Sequence, residues 1–162
     1  MTRREADARF EDGAEGALQL RAESEEDLTV ISALIQDAVV LVSQIAWTPR
    51  RRRFSLLVQR FRWEDAPAAE RQRRPFERVQ SVLTIAGALR VRASGLDPRN
   101  RDGVIALLSL TFQPAGDGAG ALRLTLAGDG EIDAEVECLD VTLQDVSRPY
   151  VAPSGKAPGH LD

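Results

Sequence analysis

The chain is poor in the residues that most site chemistry needs. It has one cysteine, Cys138, and one histidine, His160, in 162 residues. A lone cysteine cannot close an internal disulfide, so the expected compartment is the reducing cytoplasm. The histidine stands two residues from the C-terminus, in a stretch rich in proline and glycine where no side chain is held to catalytic tolerance. That removes Ser-His-Asp and Cys-His catalysis and most zinc sites. Lysine is nearly missing as well. Lys156 is the only one, so the cations are arginines, a bias that a GC-rich genome produces by itself. No apolar run approaches the roughly 18 residues of a membrane-spanning helix. The opening Met-Thr-Arg-Arg-Glu-Ala-Asp has no apolar core and interleaves acids, which argues against a signal or transit peptide. No phosphate-binding motif is present: Gly116, Gly118 and Gly120 follow an expected strand, but no Lys-Ser/Thr and no helix come after them.

What the chain has is a hydrophobic fraction of 43%, enough for the core of one domain, and a strong partition of charge. The net charge is −4. Residues 50–101 hold 14 arginines against five acids, whereas 1–49 and 102–162 each hold 10 acids, with four and three basic residues respectively. A basic middle is thus flanked by acidic ends. Residues 1–17 are charged and without apolar period, and 148–162 carry three prolines and two glycines. Both read as tails, the first disordered, around a single domain over 18–147.

Ser24 followed by Glu25, Glu26 and Asp27 predicts a helix start, because free N–H groups and the helix dipole favour a hydroxyl and acids there. Leu28, Ile31, Leu34 and Ile35 lie on one face, and the helix is expected to end near Gln36. Residues 39–63 then predict a hairpin with a basic tip. With Thr48-Pro49-Arg50-Arg51 as the turn, Ile45 faces Phe54, Val42 faces Leu57 and Ala38 faces Phe61, so both faces are largely apolar. Residues 76–85 and 88–93 predict a strand pair about Gly87. A loop follows at 94–103, then a strand at 104–112 and a glycine-rich loop at 114–120. The 121–137 segment predicts a hairpin closed by Gly128-Asp129-Gly130. Leu126 then faces Ile132 and Leu122 faces Val136 on a buried face, with Arg123 opposite Glu135 on the outer one. Past Val136 the apolar phase changes parity, which calls for a bulge or sharp bend near Cys138 and Leu139.

Several segments together resemble a bacterial family of unknown function, DUF2948, found mainly in alphaproteobacteria. They are Ile31-Ser32-Ala33 leading to Gln36-Asp37-Ala38, the Arg53-Phe54 junction, and Arg60-Phe61-Arg62-Trp63-Glu64. Phe76-Glu77-Arg78-Val79 with Ser81-Val82, and Glu135-Val136-Glu137-Cys138-Leu139, complete the set. The likeness covers essentially 18–147. It implies one domain in a bacterial cytoplasm and carries over no activity or catalytic residue. The elements as read give an α+β fold, predominantly antiparallel, with about seven or eight strands in a sandwich or partly closed barrel and one N-terminal helix. The pleckstrin-homology-like barrel is the architecture to compare, although its helix is C-terminal.

The positive functional signal is the basic stretch. Arg50, Arg51, Arg52, Arg53, Arg60 and Arg62 are interleaved with Phe54, Phe61 and Trp63. Arginine beside aromatics on strands can hold single-stranded nucleic acid. The plainer reading is that these arginines meet the acids of the flanks within the fold, and Phe54 and Phe61 already read as core. Between the two stands an acidic protein partner or self-association. Glu131, Asp133, Glu135 and Glu137 share one strand face and read as solvated or arginine-paired, not as a cation site. Asp37 and Glu64 sit at element boundaries and read as caps or arginine partners. Cys138, flanked by acids in an expected strand, reads as a small buried hydrophobe. The sequence calls for no cofactor, metal or catalytic residue. It predicts a non-enzymatic cytoplasmic interaction module, with an RNA- or DNA-binding accessory protein second and a small-ligand or enzymatic pocket third.

Overall fold

Ser24 begins the helix in the manner its sequence predicts. Its hydroxyl accepts a hydrogen bond from the Asp27 N–H at 3.2 Å, and three acids fill the first turn of α1 (Glu25–Leu34). Leu28, Ile31 and the following Ile35 are buried. The helix stops at Leu34, two residues short of the expectation, and Asp37 then turns the chain with a left-handed φ of 65°. The Asp37 N–H bonds the Leu107 carbonyl at 2.7 Å, which fastens the turn to the next layer. The computed structural model describes residues 16–152. His160, nearly all of the expected N-terminal tail and the outer part of the C-terminal one lie outside the described residues.

The architecture is α+β and mostly antiparallel. Among the described residues there are eleven strands, more than the seven or eight expected. They are β1 (Gln19–Ala22), β2 (Val39–Leu41), β3 (Ile45–Thr48), β4 (Arg53–Phe61), β5 (Glu77–Ala86), β6 (Ala88–Ser94), β7 (Val104–Gly116), β8 (Ala119–Leu126), β9 (Glu131–Val136), β10 (Val141–Asp145) and β11 (Tyr150–Val151). A second short helix, α2 (Ala66–Arg71), was not expected. The strands follow one path, β1-β10-β5-β4-β2-β7-β8-β9-β6, with β3 added to β4 and β11 to β5. Its two ends, β1 and β6, do not pair, so the sheet does not close into a barrel. The path folds into two layers, joined where three-residue β2 bonds β4 on one side and β7 on the other. Leu56, Val58, Leu83 and Leu143 of the first layer share one core with Leu110, Leu122, Leu124 and Ile132 of the second.

Four differences from the expected strand plan have local causes. The 39–63 hairpin is interrupted. The Val42 and Ser43 N–H groups bond the Gly103 and Arg101 carbonyls in place of β4, and a 3-10 turn at Val42–Gln44 results. Val39 therefore faces Gln59 while Ile45 faces Leu56, not Phe54. The tip is a second 3-10 turn, Pro49–Arg51, closed by Arg52 at φ 50°. Next, β5 and β6 do not pair with each other. Gly87, at φ 68°, turns the chain out of the first layer, and β6 crosses to pair with β9. The glycine-rich segment 114–120 is largely strand, because β7 runs on to Gly116 and turns through Asp117 and Gly118. Finally, β11 extends the sheet past the expected limit at 147, with Tyr150 opposite Arg78. Pro149 does not prevent this, since the pairing involves only two residues.

The 121–137 hairpin keeps its expected faces in a different register. Its three-residue loop is Ala127-Gly128-Asp129, closed by the Leu126 N–H on the Gly130 carbonyl at 2.8 Å. Leu124 faces Ile132, Leu122 faces Ala134 and Arg123 faces Asp133. Shifting the loop by one residue moves every pair by two, and the period of two leaves Leu122, Leu124, Leu126, Ile132 and Val136 all buried. The phase change beyond Val136 is a bend at Glu137 and Cys138. Cys138 is exposed there and not part of a strand, which corrects its reading as a buried hydrophobe.

The β7–β8 pair depends on one close approach. A Cβ on Gly120 would sit 2.4 Å from the Gln113 carbonyl oxygen and 2.6 Å from two Phe112 ring carbons. The backbone oxygen cannot yield without breaking the ladder. Gly120→Ala is therefore expected to cost about 1–3 kcal/mol of stability, read by denaturant unfolding. An unchanged midpoint would contradict this packing.

Candidate interaction site

The arginines expected to form one basic face separate into two groups. Arg60 points inward from β4 and is fully buried. Its Nε donates to Ser81 Oγ at 3.0 Å, and its two terminal nitrogens reach Glu64 Oε1 and Oε2 at 3.0 and 2.8 Å. Nη2 also donates to Asp145 Oδ1 at 3.0 Å. The Ser81 hydroxyl donates to the same Asp145 at 2.7 Å, and the Leu18 N–H donates to its other oxygen at 2.9 Å. Burial, the largest single influence, pulls the Arg60 pKa down. The hydrogen bonds and charges of Glu64 and Asp145 outweigh it, so the guanidinium is held above its ordinary value and stays charged.

Arg62, also buried, bonds Glu77 and stands 3.8 Å from Asp65. Asp65 in turn receives a two-pronged pair from Arg74 at 2.7 Å on each oxygen. That hydrogen-bonded pair depresses the Asp65 pKa, with burial opposing and the Arg62 charge assisting. Trp63 is half-buried, packs edge-on against Phe61 at 4.6 Å and donates its indole N–H to the Gln36 carbonyl at 3.2 Å. The Arg60-to-Glu64 segment is thus a clasp in which both guanidiniums are buried against carboxylates and Trp63 is half-buried.

The second group is at the hairpin tip. Arg50, Arg51, Arg52 and Arg53 are all exposed. Arg52 pairs with Glu137 across the layers. Arg50, Arg51 and Arg53 make no ion pair among the described residues. The tip adjoins β6 through the Ala88 N–H, which donates to the Arg52 carbonyl at 2.9 Å. Beyond that contact an apolar cleft of about 370 Å³ opens between the layers. Ile45, Trp47 and Phe54 line it on one side, Val91 and Ala93 of β6 on the other, and Arg101 stands at its edge. No signal in the sequence pointed to this cleft, because β6 was expected to pair with β5.

Several other arginines are matched by acids. Arg123 pairs with Asp133 at 2.8 Å and Glu131 at 3.4 Å, Arg90 with Glu135 at 3.6 Å, and Arg21 with Asp140 at 3.0 Å. The acidic row on β9 is therefore arginine-paired, one of its two sequence readings, and Glu64 is an arginine partner. No three metal-ligating side chains cluster among the described residues. No helix of the described residues is long and apolar enough to cross a membrane.

An open, mostly antiparallel sheet with two helices, an internal arginine clasp and a basic hairpin tip gives an α+β architecture. A family model described as Protein of unknown function (DUF2948) matches residues 18–160, and the chain belongs to that family. No curated protein and no solved structure matches the chain.

The clasp yields two measurable expectations. Removing one member of a buried ion pair strands the other, so Arg60→Met is expected to cost about 3–5 kcal/mol in chemical denaturation. Asp65 titrates lower in the folded protein than its unfolded value of about 3.9. Its pair with Arg74 therefore contributes fully above that value and is lost as pH falls through the depressed folded pKa. Arg74→Gln should accordingly be less stable than wild type at neutral pH, and the two should converge in acid. A constant difference across the range would show that the pair does not link stability to pH.

Proposed function

We propose that this protein is a non-enzymatic cytoplasmic interaction module whose hairpin tip takes an acidic protein partner. The observation that carries the reading is the contrast between the two arginine groups. Arg60, Arg62 and Arg74 pair with carboxylates within the fold, whereas Arg50 and Arg51, exposed at the tip near an apolar cleft walled by Trp47, and Arg53, on the strand face opposite Phe54, make no ion pair among the described residues. Exposed, unpaired cations beside a half-buried aromatic suit an acidic segment that brings at least one apolar anchor. The alternative of nucleic acid draws less support. Its expected stacking residue, Trp63, is hydrogen-bonded and packed on Phe61, and most arginines near it face carboxylates.

The test is direct titration. A labelled acidic peptide containing one tryptophan, and a labelled mixed-sequence RNA, are each titrated at low and moderate salt. The peptide is expected to bind. Replacing Arg50, Arg51 and Arg53 together with Ser should weaken it about tenfold and leave the melting temperature unchanged, because these side chains make no ion pair among the described residues. Preferred binding of RNA, with a salt slope that the triple variant flattens, would overturn the acidic-protein reading.

A further inference from the structure

We infer that the cleft beside β6 receives its partner as an added β-strand, an extended segment alternating acidic and apolar residues; this rests on the acidic-partner reading and specifies the ligand. The argument begins with hydrogen bonding. β6 pairs with β9 on one edge; on the other, the Ala88 N–H bonds the Arg52 carbonyl of the tip, and beyond Ala88 that edge has no strand partner among the described residues. A free edge is a ready template for another chain, and natural proteins usually cover or blunt it. Here it borders an apolar opening and not a packed surface.

The side chains of β6 then define what fits. Val91 and Ala93 face the cleft, whereas Arg90 and Arg92 lie on the outer face. On the occupied edge, β9 meets this pattern with Glu-Ile-Asp-Ala-Glu-Val. Glu135 stands opposite Arg90, Asp133 opposite Arg92, and Ile132 opposite Ala93. The acids of β9 face outward and its apolar residues face the core, in step with β6. Arg92 nevertheless makes no ion pair among the described residues, because Asp133 is taken by Arg123 in a two-pronged contact. An uncommitted cation therefore sits on the outer face of a free edge whose inner face is apolar. A strand on that edge is matched by what β9 supplies on the other: acids outward to Arg92, apolar side chains inward towards Trp47 and Val91. Arg50 and Arg51 of the tip, exposed and without an ion pair among the described residues, favour the same sign of charge.

The probe is a labelled peptide repeating the β9 alternation of acidic and apolar residues. Its control has the same composition, with acids and apolar residues segregated into blocks. The alternating peptide is expected to bind wild type at least about tenfold more tightly than the block peptide, since only alternation places both sets correctly. Arg92→Glu should lose about tenfold, and hydrogen exchange should slow at β6 amides when the peptide is bound. Equal affinity of the two peptides, with dependence on Arg50, Arg51 and Arg53 but not on Arg92, would sink strand addition and leave the acidic-partner reading standing. Failure of both peptides to bind would overturn both. A homodimer that Arg92→Glu dissociates would put a second copy on the edge and overturn the peptide proposal.

Discussion

Everything in the first layer is organised around one buried cation. Arg60 places a full charge where no water can reach it, a position that costs several kcal/mol unless every donor is used. Its guanidinium draws together β4, Glu64 ahead of α2, Ser81 on β5 and Asp145 at the end of β10, and through Asp145 the backbone entering β1. A buried pair of this kind adds little net stability over an apolar substitute. What it does is forbid alternatives. A one-residue slip of β4 would turn Arg60 outward and leave Asp145 and Ser81 facing apolar side chains, so the register of three strands is fixed from one point.

This clasp changes how the basic stretch is understood. Read along the chain, Arg50 to Arg62 is one charged run. In space, the pleat sends Arg60 and Arg62 into carboxylates while the tip is carried out to solvent. The same residues that make Arg60-Phe61-Arg62-Trp63-Glu64 distinctive in sequence are those with the most internal partners. Its prominence therefore reflects the difficulty of burying ions, whereas the arginines at the tip stay exposed.

Local chemistry was legible; distant pairing was not. Ser24, the acids of the first helical turn and the buried Leu28 and Ile31 follow from spacing alone. The faces of β8 and β9 were also readable, because an error of one residue in the loop moves the register by two and restores each side chain to its face. The crossing at Gly87 was not. A glycine between two apolar runs signals a turn, and nothing in the run itself says whether the second strand returns along the first or leaves for another layer. The second strand pairs instead with β9, more than thirty residues later, where Glu135 meets Arg90. The partners of Arg60 were hidden for the same reason: Asp145 lies 85 residues away.

That separation has a temporal side. At roughly 5–20 residues per second, synthesis leaves Arg60 waiting several seconds before Asp145 exists. β1, the first strand made, has no neighbour until β10, the tenth, appears, with Leu20 opposite Leu143. The second layer has no such delay, since β7, β8 and β9 join through short turns. β3, β4 and β5 can pair early, but the ion-locked layer closes only when Asp145 on β10 is available. Until then Leu83 and Ile85 on β5 lack the strand that covers their far edge. This makes the interval between residues 86 and 141 the period in which the nascent protein is most exposed to wrong partners.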